Sequence, residues 1–119
     1  MLPQLHSQRY QEFQQVLKQM HETAAAQDLQ FPRLREQLQE LQQLFNSQIV
    51  ILSSDNLTPE YASRWQSLQT EIYKQMRLLD IDVMLLQASR SSATSLSRAA
   101  NLRERINTLM VYCQTLLQL

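Results

Sequence analysis

The chain has 119 residues, enough for a single domain that buries roughly 65% of its unfolded surface without help from disulfides or metal. It contains no glycine and only three prolines, and it is rich in Gln, Leu, Glu, Arg and Ala, residues that lose little freedom in a helix. Eleven basic residues balance eleven acidic ones, so no overall field draws the protein to nucleic acid or to an anionic membrane.

A β-rich fold is disfavoured as well, because the tight turns that close hairpins need positive φ and glycine is its usual source. The one cysteine, Cys113, has no partner for an internal disulfide. No apolar run behind basic residues opens the chain as a secretory signal would, so a reducing cytoplasm is the expected compartment. The most apolar stretch, residues 76–86, is interrupted by Asp80 and Asp82 and falls short of the ~20 residues that a membrane span needs.

In chain order, His6, Tyr10, Phe13, Leu17, Met20 and Ala24 recur three and four apart and predict a first amphipathic helix, with Gln8, Gln11, Gln15 and Lys18 mostly on its other side. The segment "AQDLQFPR" breaks the period: Asp28 is a candidate cap, and Pro32 fits only a first helical turn. Leu34, Leu38, Leu41, Phe45, Ile49 and Leu52 then form the stripe of a second helix, which ends in the β-branched run Ile49, Val50, Ile51. "SSDNLTPE" punctuates the chain, with Thr58 placed to cap and Pro59 suited to the first helical position. A long third helix follows on Tyr61, Trp65, Leu68, Ile72, Met76, Leu79, Val83 and Leu86. The serines of "SRSSATS" loosen the pattern by competing for backbone hydrogen bonds. A fourth helix carries Ala99, Leu102, Ile106, Leu109, Cys113 and Leu116. Four such helices with short connections predict an all-α, antiparallel up-and-down four-helix bundle as one domain over residues 1–119. Long α-hairpins that complete a core by dimerising are the alternative.

The third helix has more apolar residues than one stripe needs. At 100° per residue, with Leu79 at zero, the core stripe stays within about 60° on either side, whereas Leu78, Ile81 and Leu85 lie roughly 100° to 160° away. These three are themselves spaced three and four apart, and Lys74 and Glu71 continue the line. One reading places the third helix centrally, touching neighbours on several sides. The other is an exposed ridge that meets a second copy or another protein. Burying three such side chains would contribute on the order of 1.5–3 kcal/mol each before ordering costs. Leu44 and Ile51, one heptad apart on the second helix, repeat the pattern off its main stripe.

Residues that could do chemistry do not converge. His6 and His21 are fifteen positions apart on the first helix, too far to share a ligand, and the Glu-x-x-His motif of carboxylate-bridged metal sites in bundles is missing. Asp80 and Asp82 point about 160° apart on a helix, so they cannot act as a dyad. Asp80 is expected to pair with Arg77 and Asp82 to flank a helix contact. Cys113 falls on an apolar face with no cation placed to ionise it, and a phosphate-binding Gly-rich loop is impossible without glycine. The reading is a non-enzymatic protein without cofactor or metal. After residue 88, Arg90, Arg98, Arg103 and Arg105 are balanced only by Glu104. That basic end is either the solvated face of the fourth helix or a docking patch for an acidic segment.

From Ser67 to Thr94 the chain reads "SLQTEIYKQMRLLDIDVMLLQASRSSAT", followed by Arg103, Arg105 and "YCQTLL"; the opening "LHSQRYQEFQQVL" and the later "LQQLFNSQIV" belong to the same pattern. Over nearly its whole length the chain resembles the heterocyst frequency control proteins of filamentous cyanobacteria, the PatD family. The resemblance implies a small non-enzymatic regulator that modulates assembly of the tubulin-like division protein FtsZ, in the cytoplasm at the division site, and thereby sets heterocyst frequency. None of the matching segments is a catalytic signature, and no binding residue carries over by motif. Leu78, Ile81 and Leu85, with Arg90, Arg98, Arg103 and Arg105, are therefore candidate partner contacts on the residues' own chemistry. A structural homodimer that uses the ridge as its self-interface and binds a different cytoplasmic protein is the competing reading. A nucleic-acid role would need the basic end to reach phosphate.

Overall fold

The computed structural model describes residues 2–119. All regular structure in them is helical: α1 (Gln4–Ala25), α2 (Phe31–Leu44), α3 (Pro59–Gln87) and α4 (Ser92–Leu117), with α2 prolonged by a π-helical turn over Phe45–Ile49. The four helices form an antiparallel bundle of 50 × 20 × 19 Å. α1 lies between α2 and α4, α4 lies between α1 and α3, and the contact between α2 and α3 is the thinnest. Among the described residues no helix is long and apolar enough to cross a membrane.

The predicted stripes are the core. Tyr10, Phe13, Leu17 and Met20 of α1, Leu34 and Leu41 of α2, Ile72, Leu79 and Leu86 of α3, and Leu102, Ile106 and Leu109 of α4 are fully or almost fully buried in one continuous cluster. The hairpins therefore close a core within one chain. Each such side chain contributes about 1.5–3 kcal/mol through burial. A polar chain threads this interior. Trp65 Nε1 donates to the Tyr10 hydroxyl at 2.8 Å, that hydroxyl donates to Gln69 Oε1, and Gln69 Nε2 donates to the Ile49 carbonyl at 3.1 Å. It links α1, α3 and the π-turn in one register, and burial raises the Tyr10 pKa above the ordinary phenol value.

Without glycine the helices must end without the left-handed residue that commonly closes them, and no residue among those described has positive φ. Part of the deficit at two C-termini is met by arginines of α4. Arg103 donates to the Ala24 carbonyl at 3.2 Å, in the last turn of α1, and Arg98 donates to the Leu85 carbonyl at 2.6 Å, in the last turn of α3. Both carbonyls lie among the last four of their helices, which have no backbone partner within the helix, and the Leu85 carbonyl also accepts from the Ser89 hydroxyl at 3.1 Å. At the other ends, Ser91 caps α4 by accepting from Thr94 N–H at 3.1 Å, so the serine run is mostly the first turn of α4 rather than a long loop. Pro59 opens α3 as expected, but the Thr58 side chain makes no capping bond. Asp28 does not cap α2 either: the helix starts after Gln30, whose side-chain amide donates to Asp28 instead.

Candidate docking surface

Orientation decides which side of α3 is covered. One flank of α3 lies against α4 and the other meets α2 only weakly, which leaves its outer face to solvent. On that face Tyr73 is 51% exposed, Ile81 49%, Met84 62% and Leu85 44%, and Leu78 is half-buried. The ridge predicted from Leu78, Ile81 and Leu85 is thus open in the isolated chain. Bundle packing does not absorb it.

Tyr73 is the centre of this surface. Its ring is 5.8 Å from Phe45, which is 5.9 Å from Phe13, so a tilted aromatic series runs from the floor of the core to the outside of α3. Three shallow grooves meet at Tyr73. One, of about 300 Å³, runs along α3 past Lys74, Arg77, Leu78 and Ile81. A second, of about 370 Å³, lies between α3 and the end of α2 beside Phe45 and Asn46. The third, of about 260 Å³, reaches Val50, just beyond the π-turn. In that turn Val50 N–H reaches back to the Phe45 carbonyl at 2.9 Å, five residues earlier. Val50 and Ile51 emerge beyond it with their side chains exposed. The echo on the second helix divides: Ile51 is open, whereas Leu44 is partly buried against the core.

The basic end is placed differently from the ridge. Arg98 and Arg103 are the carbonyl caps already described. Arg105 is held by Asp82, with Nε 2.8 Å from Oδ2, and its Nη1 donates to Gln75 Oε1 at 2.8 Å. Three of the four candidate arginines are therefore bonded within the chain and do not form one free patch with Arg90, which is exposed and makes no hydrogen bond or ion pair among the described residues. Asp82 flanks the α3–α4 contact as its position implied. Asp80 does not pair with Arg77; it accepts from Gln42 Nε2 at 3.4 Å across the α2–α3 seam.

The remaining titratable groups are dispersed. His6 is buried with its ring edge-on to Trp65 at 5.6 Å, and its Nε2 donates to the Ser53 carbonyl at 2.8 Å, pinning the α2–α3 connection to the start of α1. His21 is half-buried beside a shallow cleft with Lys18 and Glu22. Burial pushes the Cys113 thiol up to about 12, which keeps it protonated and unreactive at neutral pH. Among the described residues no three His, Cys, Asp or Glu side chains come together as a metal-binding group. Comparison with protein-family models, with curated proteins and with solved structures finds no match.

Proposed function

We propose that the protein is a non-catalytic helical regulator that works by stoichiometric docking through the outer face of α3. The observation that carries this reading is the row of Tyr73, Ile81, Met84 and Leu85, four large apolar side chains exposed on α3, where α1 exposes only Leu5 and α4 only Leu96 and Val111 among the described residues. Contiguous apolar surface of this kind marks interaction sites. The partner comes from the resemblance to the PatD family: FtsZ, met in the cytoplasm at the division site, with heterocyst frequency as the downstream effect. Binding polymerised FtsZ and free subunits with different affinity would shift assembly, since a ligand moves an equilibrium only through such a difference.

Co-sedimentation with FtsZ polymers tests the reading. Wild-type protein is expected in the pellet with polymer. The L78Q/I81Q/L85Q variant, with its helical circular-dichroism spectrum intact, is expected to stay in the supernatant. Equal pelleting of the two proteins rejects the ridge as the site, and failure of the wild type to pellet rejects FtsZ as the partner.

A further inference from the structure

The groove along α3 carries a charge pattern as well as an apolar floor. Its lining is Thr70, Tyr73, Lys74, Arg77, Leu78 and Ile81, two cations and no carboxylate. Lys74 and Arg77 are both exposed, and neither makes a hydrogen bond or an ion pair among the described residues. Of the nearby carboxylates, Asp80 lines the adjoining groove with Arg77 but bonds Gln42 across the seam, Asp82 is held by Arg105 at the α4 contact, and Glu71, half-buried one turn before Lys74, makes no ion pair among the described residues. This is the reverse of α4, whose arginines are mostly satisfied inside the molecule. From Tyr73 to Leu85 the strip is about 18 Å long, roughly three turns of a facing helix.

On the basis of the docking reading above, we infer that the occupant of this groove is an acidic amphipathic helical segment of a partner protein. Its apolar residues, spaced three and four apart, would lie over Leu78 and Ile81 beside the Tyr73 ring, in the manner of a helix seated in a groove. Its carboxylates would flank that seam and meet Lys74 and Arg77. The Arg77 guanidinium offers a planar fork to a carboxylate and the Lys74 ammonium a point charge. The apolar floor supplies affinity, and the two cations set the sign and orientation of what is accepted. A second copy of this chain is a poorer fit, because two-fold pairing of this groove on itself brings a cationic, carboxylate-free lining against its own like.

The test uses two labelled synthetic peptides of about 14 residues with the same leucine spacing, one flanked by glutamates and its twin by lysines. In fluorescence anisotropy the acidic peptide is expected to bind saturably and to weaken as salt rises from about 50 to about 200 mM. The lysine twin is expected to bind at least about tenfold more weakly. K74E/R77E, both positions being on the surface, is expected to keep its helical spectrum and to reverse the preference between the peptides. Equal binding of the twins, or no binding of either, overturns the acidic class, as does a dimer in sedimentation equilibrium that I81Q dissociates. The FtsZ result stands apart: loss of FtsZ binding with the acidic peptide still bound removes that partner and leaves the groove chemistry. FtsZ pelleting without peptide discrimination does the opposite.

Discussion

α3 and α4 put their unusual residues to opposite uses. On α4, Arg98 and Arg103 bond carbonyls at the ends of neighbouring helices and Arg105 holds Asp82 and Gln75, so residues that look like a surface patch are parts of the bundle's frame. On α3, Ile81, Met84 and Leu85 look like core residues and lie in solvent. Polar character therefore does not mean availability here, nor apolar character burial. What decides is whether a neighbouring element packs against that side of the helix.

The sharpest contrast lies within α3 itself. Leu79→Ala, at a position with no exposure, is expected to cost about 2–5 kcal/mol in urea denaturation, because it removes burial and leaves a cavity. Ile81→Ala, two residues on, is expected to stay within about 0.5 kcal/mol of wild type. Equal losses would erase the distinction between the two faces.

On α4 the frame role makes a smaller but definite prediction. Arg105→Met strips the half-buried Asp82 of its partner and is expected to cost about 1–3 kcal/mol, with most of it recovered in Arg105→Met/Asp82→Leu, since a buried pair is replaceable by apolar packing. Failure of the second change to recover stability would point to the bond with Gln75 as the important one.

Cys113 offers a prediction in pH. Its thiol rises from the ordinary value to about 12 in the folded chain, so the native state keeps the proton after the unfolded state has lost it. The contribution is complete below the unfolded-state value near 9 and fades as pH rises toward 12, at about 1.4 kcal/mol per pH unit. Between about pH 9 and 10, before the phenol of Tyr10 adds its own share, Cys113→Ala should flatten most of that slope. A thiol reagent should label wild-type protein only at its unfolding rate.

The smallest effects separate the arginines from one another. Arg103→Ala is expected to lose about 0.5–1.5 kcal/mol, as a helix-end carbonyl loses its donor, whereas Arg90→Ala should be neutral for stability within about 0.5 kcal/mol. If Arg90 proved as costly as Arg103, the division between frame and free cation would fail.

Much of this was legible in the sequence. The stripes of all four helices followed from 3.6-residue spacing, which reports burial directly, and the second seam on α3 was visible as Leu78, Ile81 and Leu85. What was not legible depends on groups distant along the chain. Arg103 meets a carbonyl 79 positions away, and Asp80 prefers Gln42 of α2 to its helical neighbour Arg77; no local pattern encodes either choice. Tyr73 was missed because it falls between the two seams, although its place one turn before Arg77 on the outer side was a usable signal. The π-turn had only an indirect trace, the β-branched run that closes the second stripe.

The central claim is that the outer face of α3 is not required for folding. Urea denaturation of L78Q/I81Q/L85Q tests it most directly: the triple variant should keep its helical spectrum and unfold within about 1.5 kcal/mol of wild type, and a larger loss would show that the ridge belongs to the core.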